Sequence, residues 1–183
     1  PFGAPMMLGA DPVPAVTIPT NFDANIEVST SGELSGFSTG QTSTHGNQYK
    51  AYYLRSDVTN TKITSLNGWN NHLILYVAGT LKLSSFSIDN ASLFILDGGV
   101  VEIPNLSTRS PRVTDVPVIY VAPGGTLKLT STNSGTSLSD GVYSINKGTI
   151  TVANNFTLTT GTDFYNVGTI TLSSTKKNVN PKL

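Results

Sequence analysis

Along the second half of the chain a five-residue phrase recurs, a glycine followed by an alternating apolar and polar strand. It reads Gly79-Thr80-Leu81-Lys82-Leu83, Gly99-Val100-Val101-Glu102-Ile103, Gly125-Thr126-Leu127-Lys128-Leu129, Gly148-Thr149-Ile150-Thr151-Val152 and Gly168-Thr169-Ile170-Thr171-Leu172. The glycines lie 20, 26, 23 and 20 residues apart. Side chains alternate between the two faces of a strand. Leu81, Val101, Leu127, Ile150 and Ile170 therefore form one inward column, and Leu83, Ile103, Leu129, Val152 and Leu172 a second. Between them runs an outward column of Lys82, Glu102, Lys128, Thr151 and Thr171. A phrase returning in the same sense at this period predicts the stacked coils of a parallel β-solenoid. The alternative, a β-sandwich of hairpins, needs a reversal roughly every 8–12 residues. The order Lys-Glu-Lys supports the alignment, because coils about 4.8 Å apart set opposite charges face to face and penalise a slipped register.

Each phrase is preceded by a second apolar run, such as Ile74-Leu75-Tyr76-Val77, Leu93-Phe94-Ile95-Leu96 and Val118-Ile119-Tyr120-Val121. The turns between run and phrase carry Asp97-Gly98-Gly99, Pro123-Gly124-Gly125, Asn146-Lys147-Gly148 and Asn166-Val167-Gly168. Glycine is expected there for its access to positive φ, and Asn or Asp for tolerating the left-handed region. The regular array is expected over residues 73–175, stacked in about six to eight coils. Residues 21–72 are expected to form an irregular N-terminal cap with the first coils, so that 21–175 make one domain. Residues 1–20 carry five prolines and read as an extended linker leading into it. The polar tail, 176–183, reads as a lead toward a further domain of the same chain.

Composition narrows the function classes. Eleven basic and eleven acidic side chains cancel, so charge supplies no case for nucleic acid or an anionic membrane. With no cysteine, thiolate metal sites, disulfide frameworks and cysteine nucleophiles are excluded. No apolar run reaches the roughly 18–20 residues of a spanning helix, so no membrane span is expected. The chain begins at Pro1 with no charged leader, and a trimmed signal or anchor segment is the expectation.

The phrases Asn146-x-Gly148-Thr149-Ile150 and Asn166-x-Gly168-Thr169-Ile170 resemble the coil repeats of right-handed parallel β-helices in secreted and surface-exposed bacterial proteins, adhesins and autotransporter passengers among them. The segment Ile18-Pro19-Thr20-Asn21-Phe22-Asp23 is similar to the start of mature regions in Bacteroides-type surface lipoproteins. The resemblance implies an all-β, single-stranded, pectin-lyase-like right-handed β-helix at the cell surface. It also implies partners among surface glycans, host or matrix proteins and further domains of the chain. It implies no cofactor. Fold alone does not assign function, since this architecture hosts adhesins, lyases and tailspikes alike.

Candidate chemistry is sparse. Glycoside hydrolysis needs two carboxylates about 5–10 Å apart, whereas Asp89, Asp97, Glu102, Asp115, Asp140 and Asp163 share no column. Asp97 has a sufficient role as a turn residue. A sugar site is suggested by the aromatic and amide stretch with Tyr49, Tyr52, Trp69, Asn70 and His72, whose alternative role is to cap the open end of the solenoid. Arg109 and Arg112, in the longest spacer, could grip a carboxylate sugar or stand as a solvated excursion. His45 and His72 lack a third ligand, so no metal site is expected. The expectation is a non-catalytic structural or adhesive module, with carbohydrate binding as the alternative and a polysaccharide-active enzyme fragment as the second.

Overall fold

The computed structural model describes residues 12–22, 27–28, 49–63, 66–67, 72–82, 87–104, 106–108, 116–131, 136–138, 143–153, 156–158 and 163–172. After a short β1 (Glu27–Val28), the chain runs through circuits of three strands. The first is β2 (Tyr49–Leu54), β3 (Thr59–Asn60) and β4 (Leu66–Asn67), and the second is β5 (His72–Val77), β6 (Thr80–Lys82) and β7 (Ser87–Asp89). The third is β8 (Ala91–Ile95), β9 (Val100–Ile103) and β10 (Ser107–Thr108), and the fourth is β11 (Ile119–Val121), β12 (Thr126–Leu129) and β13 (Thr136–Leu138). Then come β14 (Tyr143–Asn146), β15 (Thr149–Val152) and β16 (Phe156–Leu158), followed by β17 (Asp163–Asn166) and β18 (Thr169–Leu172).

Each strand pairs in parallel with its counterpart one circuit away, giving three sheets of seven, six and five strands. Sheet 1 stacks β1-β2-β5-β8-β11-β14-β17, sheet 2 stacks β3-β6-β9-β12-β15-β18, and sheet 3 stacks β4-β7-β10-β13-β16. This is an all-β parallel β-helix.

Sheet 2 is the repeated phrase. Its register sets Leu81, Val101, Leu127, Ile150 and Ile170 in one column, and Ile103, Leu129, Val152 and Leu172 in the next. Leu83, aligned with that second column by sequence, lies outside the described residues. The outward Lys82, Glu102, Lys128, Thr151 and Thr171 stand in line as expected. Inside, Tyr52, Leu75, Leu93, Ile119 and Phe164 of sheet 1 meet these columns in one continuous core.

Sheet 3 is a finding beyond the two runs per coil visible in the sequence. Its strands are two or three residues long, and in three of its layers Leu66, Ile88 and Thr108 are aligned and buried. Strands as brief as Ser87–Asp89 and Ser107–Thr108 are too short for a period-2 signal to register. From the first circuit, β2 to β4, Tyr52, Leu54, Val58, Ile63 and Leu66 all enter the core.

The turn glycines divide between two reasons, the expected positive φ at Gly98 and Gly124 and close backbone approach at the phrase glycines. Positive φ occurs at Gly98 (78°) and Gly124 (83°), each the third residue of a turn closed by Gly99 N–H to Leu96 O (2.8 Å) or Gly125 N–H to Ala122 O (2.9 Å). That is type II turn geometry, with Pro123 at the position that favours proline. The phrase glycines themselves need room rather than φ. A Cβ on Gly99 would strike the Val77 carbonyl oxygen of the coil below, and one on Gly125 would lie 2.7 Å from Ile95 O. The sheet corner is closed so tightly that only hydrogen fits.

Residues 12–22 lie extended along the outer face of sheet 1, where Val13, Val16, Ile18 and Phe22 pack on a second apolar cluster. That cluster contains Ile74, Tyr76, Phe94, Tyr120, Ala122 and Ile145.

Candidate functional site

The sequence-derived site residues separate in space. Tyr52 points inward, buried in the main core. His72, across from the backbone of Tyr49 in the β2–β5 register, is buried on the opposite, outer side of sheet 1. Tyr53, next to Tyr52, faces outward and stacks on Phe22 with ring centroids 4.2 Å apart and planes at 9°. Trp69, Asn70, Arg109 and Arg112 lie outside the described residues. Strand alternation is the reason that consecutive aromatic residues here share no platform.

His72 belongs to a polar cluster. Its Nε2 is 2.7 Å from Ser92 Oγ and its Nδ1 3.4 Å from Asn90 Oδ1. With the proton on Nδ1, the ring donates to the amide oxygen and accepts the serine hydroxyl. Ser–His–Asn is the connectivity in which an oriented base serves a nucleophile. Ser92 is completely buried, however, with His72 1% and Asn90 3% exposed, so no acyl group reaches the hydroxyl in this conformation. The cluster has a local purpose. Asn90 adopts φ 51° at the corner between β7 and β8, and its side chain ties that corner to the layer below.

The outer face of sheet 1 is the most distinctive surface. Its register aligns Tyr53, Tyr76, Phe94, Tyr120, Ile145 and Tyr165 in one outward column. Tyr76 and Phe94 meet edge to face at 5.1 Å, and Phe94 and Tyr120 tilt together at 5.4 Å. Farther along, Tyr143 and Tyr165 form a T-shaped pair at 6.5 Å, and Lys147 Nζ sits 5.9 Å over the Tyr120 ring. Burial raises the phenol pKa of Tyr76 and of Tyr120. Between the strap of residues 12–22 and this face lies a pocket of about 240 Å³. Val16 and Thr17 of the strap roof it, Ile74, Tyr76 and Phe94 wall it, and Pro117 closes one side.

A signal for this covered face existed in the sequence. All six positions of β5 are buried, and all five of β8, because these runs are apolar at both parities. A strand apolar on both faces is covered on both sides. Alternation in the strap itself, with Val16 and Ile18 half-buried between exposed neighbours, was masked by its prolines.

Charged groups converge elsewhere, on sheet 2. Glu102 sits between Lys128 (3.5 Å) and Lys82 (4.0 Å), and all three side chains are partly solvated. Asp57 pairs with Arg55 at 3.3 Å, and Asp97 is an exposed turn residue. Among the described residues, no group of three or more His, Cys, Asp or Glu side chains could hold a metal ion. No helix among them is long and apolar enough to cross a membrane.

The core also contains a polar ladder. Asn146, fully buried, donates Nδ2–H to Asn166 Oδ1 (2.8 Å) and to Thr169 O (3.1 Å), and its Oδ1 accepts Gly148 N–H (3.1 Å). Register places this pair directly after Leu54, Val77, Ile95 and Val121 in the same inward column. Compared with family models, curated proteins and solved structures, the chain matches none, so its architecture is read from its own geometry.

Proposed function

We propose that this chain is a non-catalytic structural module of a secreted or cell-surface protein, an adhesin-like β-helix that spaces or presents neighbouring domains. The observation that carries the reading is the unbroken register of three parallel sheets. Sheet 1 alone extends seven strands, a stack of roughly 30 Å at about 4.8 Å per layer. Successive layers are bonded through main chain, through the Lys82–Glu102–Lys128 ladder and through the Asn146–Asn166 pair. Contacts that repeat from layer to layer make a stiff body whose length is set by coil number, which is what a spacer requires.

A carbohydrate-binding role is the second reading. It is favoured by Tyr143 and Tyr165, half-buried at the end of the outer aromatic column. The stretch around Trp69 and Asn70 supplies further candidates. A glycan array together with immobilised matrix proteins, probed with the purified chain, separates the readings. The structural reading expects no saturable glycan binding up to high micromolar concentration. Saturable binding lost in Trp69→Ala or in Tyr165→Ala, with circular dichroism unchanged, would replace it with a lectin-like module.

A further inference from the structure

All three sheets end at the same layer. Among the described residues β16, β17 and β18 each pair with a strand on one side only, so each presents an open edge. The inward columns stop there incompletely covered. Ile150 and Val152 are 2% and 1% exposed, whereas Ile170 and Leu172 above them are only partly buried. Exposed edges are ordinarily guarded by charge or proline. These three strands hold no proline and one charged residue, Asp163.

The end layer also dictates what fits on it. Asn146 donates Nδ2–H to Asn166 Oδ1 and to the carbonyl of Thr169, the residue that follows the next layer's glycine. Asn166 repeats Asn146 one layer on, and its own Nδ2 has no acceptor among the described residues. An added coil completes the ladder by setting an amide oxygen over Asn166 and a carbonyl over Thr169. Its corner must be glycine, since a Cβ on Gly148 would strike Ala122 O and one on Gly168 would strike Gly148 O. Two apolar side chains must follow at alternate positions, over Ile170 and Leu172.

We propose that the β17–β18 end of the solenoid is an acceptor edge for one further parallel coil, supplied in trans, that carries the phrase Asn-x-Gly-Thr-apolar-polar-apolar. This is strand addition, with main-chain bonds for affinity and the asparagine, the glycine and two apolar side chains for selection. The chain's own copies of that phrase, Asn146–Val152 and Asn166–Leu172, already occupy layers of the sheets. Residues 173–183 contain no glycine and lack it. The acceptor edge requires only the end layer, and stands or falls apart from the spacer role.

A labelled peptide with the sequence of Asp163–Leu172 carries the phrase, and its titration into the full chain is followed by fluorescence anisotropy. Saturable binding is the expected result. It should weaken about tenfold in a peptide with Gly168→Ala, whose Cβ meets the acceptor backbone. A similar loss is expected with Asn166→Leu in the peptide, which leaves the acceptor Nδ2–H unmet. No binding, or equal binding of a scrambled peptide, overturns the proposal. In the chain, Leu172→Lys sets a charge beneath the incoming coil and should abolish binding with circular dichroism unchanged. Because Leu172 also touches the core, the peptide series decides without it. Sedimentation of the chain alone tests the other occupant. A dimer that is lost in Leu172→Lys and excludes the peptide assigns the edge to a second copy and overturns the proposal.

Discussion

Replacing Gly99 by alanine drives a Cβ into the Val77 carbonyl oxygen of the neighbouring coil, a backbone atom that cannot step aside. Its neighbour Gly98 presents the opposite case, with φ 78° and open space around the missing Cβ. Gly98→Ala carries only the left-handed penalty, about 1–2 kcal/mol. Gly99→Ala must push adjacent coils away from each other at their closest approach, a loss expected at about 2–4 kcal/mol, comparable to a core disruption. Urea unfolding of the two variants checks the order; equal losses would mean that the corner relaxes. The five phrase glycines were legible in the sequence as a repeat, but their reason was not. Turn chemistry suggested positive φ, which holds at Gly98 and Gly124, whereas at the phrase glycines the constraint is a backbone carbonyl from a residue 20–30 positions away.

Among the elements, sheet 2 carries its own register device in Lys82, Glu102 and Lys128. The three side chains are 54%, 30% and 44% exposed, so the ion pairs are screened and each is worth at most about 0.2–1 kcal/mol. Glu102→Lys sets three like charges in one column. A destabilisation of about 1–2 kcal/mol at low salt is expected, shrinking in about 0.5 M NaCl as screening length falls. Thermal unfolding at low and high ionic strength measures it; a salt-independent loss would point to packing instead of charge. This column was readable from the sequence because alternation by two is preserved wherever the coil repeats. Sheet 3 was not, since strands of two or three residues are too short to display an alternation. Nor was the strap, whose prolines mark extended chain but say nothing of what it lies against.

For the molecule as a whole, the buried tyrosines set the alkaline limit. Burial raises the phenol pKa of Tyr52, Tyr76 and Tyr120 above the ordinary value of 10. Below that pH the phenols are neutral in the folded and unfolded chain alike, and their contribution is fully present. Above it the unfolded chain releases protons that the folded chain holds, so stability falls as pH rises toward the folded values. The urea midpoint is expected to be flat from about pH 8 to 9.5 and to decline beyond, with a shallower decline in Tyr52→Phe. A midpoint independent of pH up to about 11 would mean that these rings are hydrated in solution.

Two kinds of information separate here. The coil is written locally in the chain: the glycine phrase, the two inward columns of sheet 2, the charge column and the parallel sense all follow from a period of two nested in a repeat of 20–26 residues. Each of these is a short-range rule copied layer by layer, so one chain read in register displays it. Which aromatic residues face which side is settled only in three dimensions. Tyr52 joins the core, Tyr53 meets Phe22, and His72 is buried against Ser92 and Asn90. Proximity in sequence had gathered Tyr49, Tyr52 and His72 into one candidate site, and the pleat disperses Tyr52 and His72 to opposite faces. The strap's docking belongs to the same class, because its contacts reach side chains far along the chain and follow no period. Repetition makes the solenoid legible; what crosses the layers depends on shape.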